Sequence, residues 1–238
     1  HEAPYVDCPA SLAALSRGLV EAGPGGIAIV PGLATRDAAG VPDVMRGEET
    51  QILGAVPADS PRMLVVPPGT HSKWVRVEGG CMVAVTTAMT GELFALLRTQ
   101  SILGRLMTAG EEHDAGAFTR GLDAARADGG LLHQLFAART LGLTDRLPRS
   151  GLADYLSGLL IGHELVHALD AHDRIAPLVV VGEPASGQPV VQFGLADAVY
   201  YALHYHHALA NMAVPLKARA GLHVGPVILR ENDAEDIA

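Results

Sequence analysis

Apolar residues recur at helical spacing over 11–22 (SLAALSRGLVEA), and Gly23-Pro24-Gly25-Gly26 closes that run. Ile27-Ala28-Ile29-Val30 is a short apolar run stopped by Pro31-Gly32, which predicts a buried strand. A loop with Asp37 and Asp43 is expected next, then a helix over 47–57 with Ile52, Leu53 and Val56 on one side. Met63-Leu64-Val65-Val66 is apolar without interruption and predicts a strand buried on both faces. Trp74–Val77 alternates, Glu78-Gly79-Gly80 is a turn, and Met82–Thr86 predicts the next strand. Helices are expected from Thr90 to about Leu103, over 114–126, 130–141 and 152–171, and a strand over Leu178–Val181. Strands first and helices later predict an α/β or α+β sheet domain with a helical layer.

The 238 residues, 49% of them hydrophobic, suffice for one large domain or two small ones. A formal net charge of -9 argues against nucleic acid, because an acidic surface repels a phosphate backbone. No run of 18 apolar residues predicts a membrane span. Two cysteines, Cys8 and Cys81, make neither a disulfide framework nor a zinc set, which suits a cytoplasmic protein. The first residues, His1-Glu2-Ala3-Pro4-Tyr5, lack the features of a signal peptide, and the expectation is that they lie inside a longer protein.

Three stretches could carry chemistry. In Pro67-Pro68-Gly69-Thr70-His71-Ser72-Lys73-Trp74, the glycine allows close backbone approach to a ligand. Consecutive N–H groups could cradle an anion, with two hydroxyls and an ammonium beside them. The spacing is not that of a P-loop. The competing reading is a polar hairpin turn anchored by Trp74. In Met45-Arg46-Gly47-Glu48-Glu49-Thr50-Gln51, the two carboxylates open a helix, where they suit its dipole. Functionally, Arg46 could hold an anionic substrate and a neighbouring carboxylate could act as general base. His163-Glu164-Leu165-Val166-His167 has the H-E-x-x-H form of a zinc site, with His172 one residue short of the longer metal-binding spacing. Its competing reading is a chance match in a histidine-rich chain.

Four motifs stand in order: MRGEETQ (45–51), PGTHSKW (68–74), MTGEL (89–93) and LSGLLIG (156–162). Together, over about residues 1–185, they closely resemble the 2-dehydro-3-deoxygalactonokinase family of sugar-acid kinases. That family is similar to the actin/hexokinase superfamily. The resemblance implies an α/β, RNase-H-like kinase fold, here incomplete, with mixed sheets flanked by helices. Residues 1–60 would be the remnant of a first, sugar-binding domain, 61–185 the second kinase domain, and 186–238 a divergent or fused segment. The reaction implied is ATP-dependent phosphorylation of 2-dehydro-3-deoxy-D-galactonate at its 6-hydroxyl, with Mg2+ bridging the nucleotide phosphates. The implied partners are this sugar acid and ATP, with neither nucleic acid nor membrane, in a protein compatible with a homodimer.

On this sequence the resemblance makes Gly69, Thr70, His71, Ser72 and Lys73 the phosphate loop and Gly182 a glycine that meets adenosine. Glu48 or Glu49 would be the catalytic base, with Glu48 favoured. Arg46, Thr90 and Glu92 would face the substrate. The family's Asp/Gly/Thr-containing phosphate turn does not occur in the sequence. Residues 190–238 instead resemble the middle of a class III nucleotide cyclase, through Asp197–Leu209 and Arg219–Gly225. The cyclase metal-binding aspartates are absent, so no cyclase activity is expected. Tyr200, Tyr201, Leu203, Tyr205 and Leu209 predict an apolar helix surface and low solubility. A zinc hydrolase acting through residues 163–167 and a non-catalytic fusion remnant are the alternative readings.

Overall fold

The apolar run Met63–Val66 forms strand β6, buried along its whole length. Its alternation explains why no polar residue interrupts it. Leu64 and Val66 face one hydrophobic cluster and Met63 and Val65 another. The computed structural model that places it describes residues 3–22, 27–56, 59–108, 113–171 and 178–181.

From β6 the chain turns through Pro67–His71 into β7 (Ser72–Glu78), then through Gly79-Gly80 into β8 (Cys81–Ala88). These pair antiparallel, and β9 (Leu178–Val180) joins the far side of β6 in parallel. The sheet order is β8-β7-β6-β9. A parallel pairing needs a crossover. Four helices supply it: α3 (Thr90–Gln100), α4 (Ala115–Arg126), α5 (Gly130–Leu143) and α6 (Leu152–Ala171). They cover the face carrying Leu64, Val66 and Trp74. Inside this layer α4 and α6 touch backbone to backbone. A Cβ on Gly158 would collide with the Phe118 carbonyl oxygen, so the small residues of LSGLLIG form the contact.

The opposite face packs on the first fifty or so residues. Strand β1 (Tyr5–Asp7) and helix α1 (Leu12–Arg17) come first, then the hairpin β2 (Val20–Glu21) and β3 (Ala28–Ile29). Strands β4 (Gly32–Arg36) and β5 (Pro42–Met45) follow, then helix α2 (Glu48–Ala55). β4 pairs parallel with β1 and antiparallel with β5. Leu15, Leu33, Met45 and Ile52 from this part meet Val65, Val75, Val77 and Val85 of the large sheet. The protein is therefore a mixed α/β structure with helix-flanked sheets.

Three local expectations are corrected. The run 27–30 is not a buried strand: Ile27 is 51% exposed, and only Ala28–Ile29 pair, in the two-stranded hairpin. The helix expected over 11–22 stops at Arg17, where Gly18 closes it and donates to the carbonyls of Ala14 and Leu15. The stretch expected as a loop holds β4 and β5, whose turn is organised by the Asp37 carboxylate accepting from the N–H groups of Ala39 and Val41. Gly182 and residues 186–238, with their cyclase-like helix and its expected low solubility, lie outside the described residues.

Candidate functional site

Strand β5 ends at Met45, and Gly47 turns the chain into α2 with φ 107°, a left-handed value that favours glycine. The turn presents Glu48 and Glu49 in the first helical turn, and the two carboxylates go separate ways. Glu49 is buried and its Oε2 accepts from the Gly47 N–H at 2.7 Å, so it ties down the start of its own helix. Burial raises its pKa above the usual carboxylate value, partly offset by backbone hydrogen bonds. Glu48 points instead across to β7, where its Oε1 lies 3.2 Å from the Lys73 ammonium. Its Oε2 is shielded and accepts no hydrogen bond.

Lys73 is the second residue of β7, on the same face as Val75 and Val77. Its side chain is 7% exposed, against 26% for Glu48. The ammonium also donates to the His71 carbonyl at 2.8 Å, and the Lys73 N–H donates to the Pro67 carbonyl at 3.2 Å. Ser72 points the other way; its hydroxyl is fully buried and without a hydrogen bond. Trp74 is buried in the helical layer and its Nε1 donates to Glu164 Oε1 at 2.8 Å.

The loop before β7 rests on the start of α3. The Thr70 carbonyl accepts from the Glu92 N–H at 3.0 Å, and the His71 ring Nε2 donates to Glu92 Oε2 at 2.5 Å. Gly91 permits this approach, because a Cβ there would lie 2.7 Å from the Thr70 Cα and 2.8 Å from the Gly69 carbonyl oxygen. Thr90 is buried in the same first turn, whereas Thr70 and His71 are exposed at the loop tip. Arg46 donates to the Ala3 carbonyl at 2.7 Å, and its guanidinium stacks 4.4 Å from the Tyr5 ring centre.

Two of the three sequence candidates thus meet. MRGEETQ touches the strand end of PPGTHSKW through Glu48 and Lys73, and the MTGEL segment touches its loop through Glu92 and Gly91. Arg46 and Glu49 lie beside this arrangement with intramolecular partners of their own. Sequence reasoning missed Asp43. Its carboxylate accepts from the Thr87 N–H at 2.6 Å, the Thr87 hydroxyl at 2.7 Å and the Val44 N–H at 2.8 Å. Thr87 is the cross-strand neighbour of Lys73, so Asp43 fastens the strand leading to Glu48 to β8, the strand paired with the one carrying Lys73. No local signal marked it, because the sequence around it reads as a loop, where aspartate is ordinary.

In the third candidate, His163 and Glu164 are engaged by neighbouring elements, and His172 lies outside the described residues. Glu164 bonds Trp74, and the His163 Nε2 donates to Gln134 Oε1 at 2.5 Å. The Gln134 amide is oriented for this by donating to the carbonyls of Ala124 and Ala127. Among the described residues no group of three or more His, Cys, Asp or Glu could hold a metal ion.

A nearby carboxylate–ammonium pair and a loop laid on a helix start suit transfer of a charged group. Comparison with known proteins concerns the chain as a whole. The family model described as 2-keto-3-deoxy-galactonokinase matches residues 1–209, which includes all four motifs and runs past residue 186. The chain is 40% identical over 179 residues to the 2-dehydro-3-deoxygalactonokinase of Escherichia coli (strain K12), covering 74% of this chain and 60% of that protein. It is 38% identical over 193 residues to a Rhizobium meliloti (strain 1021) protein assigned the same activity, covering 78% and 62%. A crystal structure from Sinorhizobium meliloti, assigned to the same enzyme, superposes with a TM-score of 0.76 at 33% identity, over 92% of this chain and 69% of that one. The chain therefore spans about three fifths of the length of these curated relatives. It belongs to the 2-keto-3-deoxy-galactonokinase family.

Proposed function

We propose that this chain carries part of the machinery of an ATP-dependent kinase that phosphorylates 2-dehydro-3-deoxy-D-galactonate at its 6-hydroxyl. The observation that carries the reading is the meeting of Glu48 with Lys73 at the foot of the loop laid on α3. Glu48 is the general base. It takes the proton of the 6-hydroxyl as that oxygen bonds to the γ-phosphorus and the bond to the ADP oxygen breaks. Gly69, Thr70 and His71 form the phosphate side of the site, with Thr70 and His71 exposed at the loop tip and Gly69 half-buried beside them. Glu92 and Thr90 hold that loop from α3. Arg46, one guanidinium donor committed to Ala3, has others for the substrate carboxylate.

Mg2+ would neutralise phosphate charge during transfer. Such an ion is usually held by phosphates, waters and one or two carboxylates, and Glu92, bonded to His71 of the loop, would be such a carboxylate. The order β8-β7-β6-β9, an antiparallel meander joined in parallel by a strand beyond the helices, supports an RNase-H-like fold. The described helices include none long and apolar enough to cross a membrane. A coupled ADP-release assay with 2-dehydro-3-deoxygalactonate tests the reading. Turnover with this sugar acid, and markedly less with unrelated sugars, is expected. No turnover, or equal turnover with all sugars, would overturn it.

A further inference from the structure

We infer that Lys73 is a positioning residue for Glu48 and not a ligand of the nucleotide phosphates. This rests on the assignment of Glu48 as base. A lysine that binds phosphate does so as a mobile point charge at the end of a flexible stem. Lys73 has neither the freedom nor the exposure. It lies within a paired strand, opposite Thr87, and its side chain is 7% exposed. Its ammonium has three donors. One goes to the His71 carbonyl at 2.8 Å, and Glu48 Oε1 lies 3.2 Å away.

The consequences fall on Glu48. The ammonium fixes Oε1, so the carboxylate is oriented by a rigid strand and not by its own flexible chain. Oε2 keeps its lone pairs uncommitted. Partly burying a polar group without a partner is costly, and the ammonium is the partner that Glu48 Oε1 has. The same ammonium holds the His71 carbonyl, which sets the base and the end of the loop in one geometry. The nucleotide phosphates are left to the exposed loop tip.

The test is steady-state kinetics of the 238-residue chain and its Lys73→Met and Lys73→Arg variants, with MgATP and 2-dehydro-3-deoxygalactonate. Lys73→Met is expected to lower kcat by about 100-fold while KM for MgATP stays within about threefold. Lys73→Arg, which keeps the charge, recovers about tenfold of that loss. A rise of about tenfold or more in KM for MgATP with kcat nearly unchanged overturns the inference, because it makes Lys73 a phosphate ligand. Absence of turnover in the unsubstituted chain is a failure of the kinase reading, not of the pairing. The pairing is then decided by melting temperatures of Lys73→Met, Glu48→Gln and the double variant. The double variant is expected to melt no lower than Lys73→Met alone, and additive losses overturn the inference.

Discussion

Replacing Asp43 with alanine removes the link between β5 and β8. The carboxylate accepts two hydrogen bonds from Thr87, at 2.6 and 2.7 Å, and a local one from the Val44 N–H. A hydrogen bond to a charged group contributes about 1.5–3 kcal/mol. Two such bonds at the lower end would give about 3 kcal/mol; Asp43 is half-exposed and water can replace part of what it supplies, so the two Thr87 bonds together are discounted to about 2 kcal/mol. In a chain of this size each kcal/mol moves the melting temperature by about 2–4 °C, so Asp43→Ala should melt about 4–8 °C lower. Asp43→Asn, keeping one acceptor oxygen, should lose about half as much. Because Glu48 follows β5 after only Arg46 and Gly47, a loosened β5 should also lower kcat. Circular-dichroism melts with the ADP-release assay measure both. An Asp43→Ala protein that melts within about 1 °C of the parent would refute the reasoning.

Gly158→Ala puts a methyl group against the Phe118 carbonyl of α4 and should cost about 3 kcal/mol by denaturant titration, since backbone and not a flexible side chain must yield. Glu49→Gln should keep the hydrogen bond from the Gly47 N–H and remove a carboxyl whose folded pKa is raised above 4.5. The folded state holds that proton to higher pH than the unfolded chain, so ionisation lowers stability as pH rises through and beyond 4.5. The variant should therefore gain stability relative to the parent at pH 7 and lose the advantage near pH 4 in paired melts. Burial lowers the His163 pKa below its ordinary 6.5, so the unfolded chain binds the extra proton first and stability falls as pH drops below 6.5. His163→Asn should flatten that dependence between pH 7 and 5, and metal analysis of the parent should find less than stoichiometric zinc.

The large sheet and its helices were legible because their residues obey simple periods. Met63–Val66 is apolar on both faces, Gly79-Gly80 marks the hairpin, and the period of α6 predicts Leu152–Ala171. The first part of the chain was harder. β4 and β5 each place few buried side chains, Leu33 and Met45 among them, so no apolar run announces them. Ile27-Ala28-Ile29-Val30 is an apolar run, yet only Ala28 and Ile29 pair, Ile27 and Ala28 are exposed, and Ile29 and Val30 are half-buried. Glu48 and Lys73 could each be singled out by residue type, but their meeting depends on packing between β7 and α2, which no local spacing encodes. The H-E-x-x-H match failed for the converse reason. Its spacing is local, while the partners of His163 and Glu164, Gln134 and Trp74, come from elsewhere in the chain.

Phosphate transfer from γ-labelled ATP to 2-dehydro-3-deoxygalactonate tests the central claim most directly, with the parent chain, Glu48→Gln and Glu49→Gln compared side by side. The account predicts label at the 6-position with the parent and with Glu49→Gln, and a loss of about 100-fold or more in rate with Glu48→Gln. Equal labelling by all three proteins, or loss with Glu49→Gln alone, would contradict it.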